Sequence, residues 1–135
     1  MFTLITFNRV RNDFTSLRIT SWNAQVLRSC VQELENFIHD WNLDIILVQE
    51  TQLRPCDHVA IPNYSFHRSE RTTHRGQTAI FIKRSISHHQ IPIQNQAFEN
   101  TAVVLNKQND KPITIVSAYR PTKIFTNSIG IGTAA

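Results

Sequence analysis

A run of four branched apolar residues places the strongest constraint on how this chain can fold. Residues 44–51 read DIILVQET, and the apolar run within them is too short for a typical helix. Such a run is typical of a strand that is buried on both faces, as in a parallel sheet. It ends abruptly in Gln49 and Glu50, so a carboxylate follows the carboxyl end of the strand, where ligands bind in open α/β sheets. The alternative is that Glu50 merely begins a solvated loop.

The residues before this strand predict a β-α-β unit. Residues 17–22, LRITSW, alternate as a strand does, and Asn23 follows them directly. Ser29 and Gln32 fit a capping box at the start of a helix whose apolar residues fall on one face. Strand, helix and strand in this order favour a right-handed crossover between two parallel strands.

Parallel strands end at the same edge of a sheet, so Asn23 and Glu50 are expected to lie close together. A carboxylate beside an amide oxygen suits a hard cation such as Mg²⁺, which takes one or two carboxylates and keeps several waters. The alternative for Asn23 is a structural one, because an Asn side chain readily bonds its own backbone in a turn.

Four further strands are predicted downstream, at residues 64–68, 78–83, 101–106 and 113–119. The last two are joined by KQNDKP, whose Asn-Asp and Pro are typical of a hairpin turn. Residues 85–100 carry no clear pattern, and the pattern decays again after Pro121. Residues 1–16 also lack a clear period and are interpreted as a leader or extension.

Length and composition indicate a single globular domain. With 135 residues, 41% of them hydrophobic, the chain is one domain with enough apolar surface for a core. A net charge of +4 and a pI near 9.5 are compatible with a polyanionic partner. Cys30 and Cys56 are too few for a disulfide framework or a zinc site, and are interpreted as packing or loop thiols. No secretory signal and no run of transmembrane length is present, which predicts a nuclear or cytoplasmic protein without membrane association.

Four motifs occur in a set order along the chain: SWNAQ, VQETQL, HRGQTAIFIK and SAYRPT. In this order they resemble the amino-terminal half of the endonuclease/exonuclease/phosphatase superfamily. In particular they resemble the apurinic-type endonuclease domain of non-LTR (LINE-like) retrotransposons of the jockey type. The resemblance implies an α/β fold, the amino-terminal half of a two-sheet α/β sandwich. It divides the chain into a leader at 1–16, a partial family domain at 17–123 and a non-family tail at 124–135.

The resemblance also implies an activity, which is magnesium-dependent hydrolysis of phosphodiesters, with nicking of DNA. It places Asn23 and Glu50 at the catalytic and metal site, and Tyr119 near the scissile phosphate. It further implies nucleic-acid contacts from a polar loop and from the end of the last strand. These contact residues are Arg68, Arg71, His74, Arg75 and Arg120. The alternative for this loop is a solvated basic segment without a ligand.

The later catalytic motifs of the superfamily, of the GDxN and SDH types, do not occur in this chain. Between Tyr119 and Ala135 there is no Asp, Glu or His. The expected enzyme is therefore incomplete in this chain. Two alternatives stay open: a non-catalytic relic that acts as a binding or interaction module, and a small-molecule or lipid phosphatase fragment of the same superfamily.

One further expectation concerns solubility. If the chain supplies strands for one sheet of the sandwich alone, the inner face of that sheet meets water and favours self-association. The residues expected on this uncovered face are Ile45, Leu47, Ile80, Ile82, Val103 and Ile115.

Overall fold

The computed structural model describes residues 2–11, 14–68, 77–92, 99–106, 112–119 and 128–133. These residues form nine strands, one α-helix and one 3-10 turn. In chain order they are β1 Phe2–Arg11, β2 Phe14–Asn23, the 3-10 turn Leu27–Ser29, α1 Val31–Trp41, β3 Ile45–Gln49, β4 Tyr64–Arg68, β5 Ala79–Lys83, β6 His88–Ile91, β7 Glu99–Leu105, β8 Ile113–Tyr119 and β9 Ser128–Thr133. The strands build two sheets, ordered β1-β2-β3-β5-β4 and β6-β7-β8-β9.

The predicted β-α-β unit is confirmed. Strands β2 and β3 pair in parallel, with Ile19 opposite Ile45 and Asn23 opposite Gln49. All five residues of β3 are buried, as expected for a strand covered on both faces. The other strand pairs of both sheets are antiparallel, including the predicted hairpin of β7 and β8.

Helix α1 buries Leu34 and Ile38 against the first sheet and ends at Asn42, which takes the left-handed conformation. The predicted capping box is wrong. Ser29 closes the preceding 3-10 turn instead, where its hydroxyl donates to the carbonyl of Val26 at 3.1 Å. Cys30 holds the N-cap position, and its side chain makes no capping bond. The local turn uses the hydroxyl that a capping box would need.

Each face of the five-stranded sheet carries an apolar cluster. One cluster lies under α1 and includes Trp22, Leu34, Ile46, Val48 and Phe81. The other lies between the two sheets. It joins Ile19, Ile45, Leu47, Ile80 and Ile82 of the first sheet to Val103, Leu105, Ile113 and Ile115 of the second.

The inter-sheet cluster corrects the expectation of an uncovered sheet face. That expectation assumed strands for one sheet, whereas β6 to β9 form a second sheet that packs on the first. All six residues expected to meet water are at most 1% exposed. The inner face therefore gives no reason to expect self-association.

At the amino end of β3, charged and polar side chains tie the first sheet together. Lys83 lies 3.2 Å from the carboxylate of Asp44, and it donates to the side chain of Asn42 at 2.9 Å. Asp44 accepts in turn from the backbone of Arg18 at 2.7 Å. Burial, together with the charge of Asp44, raises the pKa of Tyr64 to about 12, and its hydroxyl donates to the carbonyl of Leu43.

Strand β1 pairs with β2 at the edge of the sheet, within the stretch interpreted as a leader. The division of the chain at residues 16 and 123 stays a prediction. Among the described helices, none has the length and apolar character needed to cross a membrane.

Candidate active site

Several residues with strained backbone lie just beyond the carboxyl ends of the parallel strands β2 and β3. Three residues there have positive φ: Gln25 at 59°, Glu50 at 51° and Gln52 at 50°. None is Gly, Asn or Asp, and the left-handed conformation costs such residues about 1–2 kcal/mol each. Strain of this kind persists where surrounding contacts over-determine the backbone, and it clusters at functional sites. The solvated-loop interpretation of Glu50 does not account for it.

Three backbone hydrogen bonds hold this strained edge. Ala24 donates to Gln49 at 3.0 Å, Leu27 to Thr51 at 3.1 Å, and Thr51 to Gln77 at 2.9 Å. The segments after β2, after β3 and before β5 are thus joined around Glu50. Glu50 itself is half-buried, and the backbone on either side of it is hydrogen-bonded.

Asn23 lies beside this turn, as predicted. It is the register partner of Gln49, so Glu50 follows one residue beyond it on the adjacent strand. The Oδ1 atom of Asn23 accepts a hydrogen bond from the backbone of Gln25 at 3.1 Å. This is the structural role considered for Asn23, and it fixes the side chain beside Glu50. An amide oxygen has a second lone pair, so the bond to Gln25 leaves it able to accept from a ligand.

A buried polar network lies directly behind Glu50. The side chain of Gln49 is 1% exposed and points between the sheets, where its Oε1 accepts from Ser21 at 3.2 Å. Its Nε2 donates to Ser117 of β8 at 3.1 Å, and Ser117 donates to the carbonyl of Val48 at 3.0 Å. We call Ser21, Gln49 and Ser117 the inter-sheet clamp. It fixes the ends of β3 and β8 against each other.

The clamp predicts that Gln49→Leu destabilises the fold. The substitution keeps the volume but removes both bonds of the amide and leaves buried hydroxyls short of a partner, at a cost of about 1–3 kcal/mol. Urea unfolding followed by circular dichroism measures the loss. Gln32→Leu is the matched control, because Gln32 is exposed on α1 and bonds Asn36 at the surface. Equal unfolding midpoints for Gln49→Leu and the wild type would show that the clamp contributes no stability.

Tyr119 lies at the same end of the sandwich as Glu50, because the clamp fixes the strand that carries it. It is the last residue of β8 and pairs with Glu99, two residues beyond Ser117. Because Ser117 bonds both Val48 and Gln49, the backbone of Tyr119 follows on the side where β3 ends at Glu50. The structure thus brings Asn23, Glu50 and the backbone of Tyr119 to one edge.

Arg68, predicted to contact nucleic acid, has partners within the protein. Its two terminal nitrogens donate to the carbonyls of Asp57 at 3.1 Å and Arg54 at 3.0 Å. These two hydrogen bonds hold the turn between Arg54 and Asp57, in the loop that follows Glu50. The other predicted contact residues, Arg71, His74, Arg75 and Arg120, lie outside the described residues.

Two arginines that the sequence did not single out join Arg68 near this edge. Arg28 lies 3.9 Å and Arg54 3.6 Å from the Asp57 carboxylate, and both arginine side chains are 57% exposed. A hydrogen bond from the Arg54 backbone, and then the charges of Arg54 and Arg28, hold the pKa of Asp57 below its usual value. Three guanidinium groups and one carboxylate leave a net positive surface, which we call the basic cluster.

An open cleft of about 820 Å³ lies elsewhere, near the amino end of β3, and Asn42, Asn63 and Lys83 are among its lining residues. Lys83 is neutralised there by Asp44. The positive φ of Asn42 and Asn63 is ordinary for Asn. The residues with positive φ that are not Asn lie at the edge of Glu50 and not in this cleft, so that edge is the better candidate for chemistry.

Comparison with known proteins finds similar sequences and a similar fold. The sequence profile of the Endonuclease/Exonuclease/phosphatase family matches residues 20–123. The RNA-directed DNA polymerase from mobile element jockey of Drosophila melanogaster is 26% identical over 108 residues, which cover 78% of this chain and 12% of the relative. The probable RNA-directed DNA polymerase from transposon BS of the same organism is 29% identical over 76 residues, covering 53% of this chain and 8% of the relative.

A solved structure shows a similar fold. The endonuclease domain of TRAS1, a telomere-specific non-LTR retrotransposon, superposes with a TM-score of 0.56 at 19% sequence identity. The match covers 76% of this chain and 44% of that domain. The chain thus spans less than half of the solved domain and 12% of the jockey protein.

Proposed function

This chain belongs to the Endonuclease/Exonuclease/phosphatase family, and from that premise we propose that it is part of a retrotransposon-type endonuclease. The reaction proposed is magnesium-dependent hydrolysis of a phosphodiester in DNA, in the nucleus or cytoplasm. The observation that carries the proposal is the strained Glu50 beside Asn23, at the edge where β2 and β3 end.

The residues at this edge fit a magnesium ion. Glu50 offers a carboxylate and Asn23 an amide oxygen, both hard donors of the kind that Mg²⁺ takes while keeping several waters. Among the described residues no three His, Cys, Asp or Glu side chains converge as a metal site, and an ion that keeps its waters does not need three. When bound, the ion polarises phosphoryl oxygens and lowers the pKa of a bound water.

The chain's own residues supply position and hydrogen bonds. Glu50 and Asn23 define where the phosphate and its counter-ion lie. Bonds from Ala24 and Thr51 hold the backbone on either side of Glu50, and the backbone of Gln25 holds the side chain of Asn23. Tyr119, at the end of β8, is proposed to donate to a phosphate oxygen. Fixed donors and acceptors of this kind need no rearrangement as charge develops on the phosphate.

The basic cluster supports a polynucleotide as the substrate. A nucleic-acid backbone offers a line of phosphates, and Arg28 and Arg54 present two exposed guanidinium groups near the proposed site. Arg68 supports them by holding the turn between Arg54 and Asp57. A phosphatase acting on a small or lipid phosphate would not require cations spread along a surface in this way.

A non-catalytic binding module is the second candidate, and one observation favours it. The residues after Tyr119 contain no Asp, Glu or His that could orient a water. In this chain alone the basic cluster could then bind DNA without cleaving it. Glu50 and Asn23 therefore support metal binding by this chain, whereas its residues do not support turnover.

We expect weak magnesium binding at Glu50, at millimolar rather than micromolar metal, because one carboxylate and one amide leave most ligands to water. In a magnesium titration followed by amide chemical shifts, the signals of Asn23 and Glu50 should move first. Glu50→Gln should abolish those movements. Glu33→Gln, at an exposed position in the first turn of α1, is the control and should leave them unchanged. If the wild type and Glu50→Gln titrate alike, the proposed site is wrong.

A further inference from the structure

Two histidines from different sheets meet where the sheet edges approach. His67 of β4 and His88 of β6 have their Nε2 atoms 2.8 Å apart. Their rings are nearly perpendicular, at 82°, with centroids separated by 4.9 Å. Both side chains are half-buried. The family profile and the Glu50 site give this pair no role.

The hydrogen bonds around His88 fix which of its nitrogens carries a proton. Its Nδ1 lies 2.7 Å from the carbonyl oxygen of Ile86, which only accepts. His88 Nδ1 is therefore the donor, and the Nε2 atom of neutral His88 presents a lone pair to His67. A backbone carbonyl that orients one ring nitrogen is the usual support of a metal-binding histidine.

A further hydrogen bond holds together the strands that carry the two histidines. The side-chain amide of Gln90, two residues after His88, donates to the carbonyl of Arg68, the residue after His67, at 3.0 Å. The pair therefore lies where β6 is fixed against β4, and the unprotonated nitrogen of an imidazole is the atom that binds metals.

We propose that His67 and His88 form a binding site for a divalent transition metal, which joins the edge strands of the two sheets. In the metal-free protein the Nε2 proton of His67 lies between the rings. On binding, that proton moves to Nδ1 of His67, and the two rings turn so that both Nε2 lone pairs leave the line between the nitrogens and face the ion. Imidazole nitrogen suits copper, nickel and zinc, whereas magnesium prefers oxygen, so this site and the Glu50 site select different ions.

The separation of the two nitrogens favours particular metals. With metal–nitrogen distances of about 2.05 Å, nitrogens 2.8 Å apart subtend an angle of roughly 86° at the ion. That is close to the right angle between neighbouring ligands in square-planar Cu²⁺ or octahedral Ni²⁺. Tetrahedral Zn²⁺ would require the nitrogens to separate to about 3.3 Å.

Water or small exogenous ligands complete the coordination sphere. In the parts of the chain that the structure describes, no third His, Cys, Asp or Glu joins the pair. Two protein ligands give an affinity in the micromolar range rather than the nanomolar range of closed sites. An ion bound there stabilises the folded protein in proportion to its occupancy, since the unfolded chain does not hold the pair together.

The experiment is a Ni²⁺ titration of the full chain by calorimetry and by NMR. Ni²⁺ is the probe because Cu²⁺ oxidises exposed thiols such as Cys56. We expect one micromolar site, a rise in Tm of several degrees, and paramagnetic broadening that begins at the ring protons of His67 and His88. His67→Ala and His88→Ala should each weaken binding at least tenfold.

His89→Ala is the matched control. His89 is adjacent to His88 on β6 but exposed, and the alternation of a strand points it to the opposite face. It should bind Ni²⁺ within twofold of the wild type. His67→Gln serves as a second variant if alanine loosens the edge, and the metal-free Tm of each variant reports its folding. Wild-type binding weaker than millimolar, or broadening that begins away from this pair, would overturn the proposal, whatever happens at Glu50.

Discussion

Supercoiled plasmid incubated with these 135 residues and magnesium is expected to stay uncut. In the proposed site Glu50 and Asn23 hold an ion and Tyr119 donates a hydrogen bond, and none of the three has the role of deprotonating an attacking water. No carboxylate or imidazole follows Tyr119, and Asp110 and Glu99 occur in sequence contexts unlike that of a general base. Loss of a general base alone removes about two to four orders of magnitude in rate.

Two controls make this result informative. Addition of the carboxyl-terminal half of a complete relative should restore nicking if the defect is a missing water-activating group. Glu50→Ala in the restored mixture should abolish it again. Magnesium-dependent nicking by the chain alone, lost in Glu50→Ala, would instead show that the chemistry needs fewer residues than proposed.

The largest loss of stability is expected from Phe81→Ala. Phe81 is fully buried in the cluster under α1, opposite Ile46 of β3, and its ring centroid lies 4.7 Å from that of Phe66. Removal of an aromatic ring from such a position costs about 3–5 kcal/mol, because the surrounding strands cannot close the cavity. This is a large fraction of the 5–15 kcal/mol typical of a domain. Chemical denaturation followed by fluorescence measures it.

Phe37→Ala provides the comparison. Phe37 packs at the margin of the same cluster, is half-buried, and contacts Trp41 at a centroid distance of 6.2 Å. The same atoms are deleted, and Phe37→Ala should cost clearly less, because Phe37 is less buried and Ala favours a helix more than a strand. Similar losses for both would mean that the helix side of the sheet is packed less tightly than the structure indicates.

The strands that were predicted from the sequence are those with an apolar run or an alternation of apolar and polar residues. The apolar runs of β3 and β5 and the alternation in β2, β7 and β8 follow from burial on one or both faces. Strand β6 reads HHQI, and its half-exposed, polar residues have no such pattern. Its position is set by pairing with β7, which a local pattern cannot show. The second sheet was missed for a related reason: local patterns predicted strands β7 and β8, but they do not show to which sheet a strand belongs.

The sequence predicts that the candidate residues lie at one edge of the sheet, and their role as a site stays a prediction. A β-α-β unit brings Asn23 and Glu50 to one edge whatever the intervening residues are. The positive φ at Glu50 could not be predicted from the sequence, because Glu and Gln are not residue types that favour the left-handed conformation. Arg28 and Arg54 meet only because the loop after β3, which carries Arg54 and Asp57, lies against the 3-10 turn that carries Arg28.

The order of Gln49 and Glu50 makes the geometry of this edge depend on the number of residues in β3. Gln49 enters the space between the sheets, and the left-handed turn begins at the very next residue. Deletion of one residue from β3 would move the Glu50 carboxylate into the nearly sealed position that Gln49 now occupies, among hydroxyls that cannot neutralise it. Insertions and deletions that keep the Glu50 carboxylate at this edge are therefore confined to the loops that follow β3.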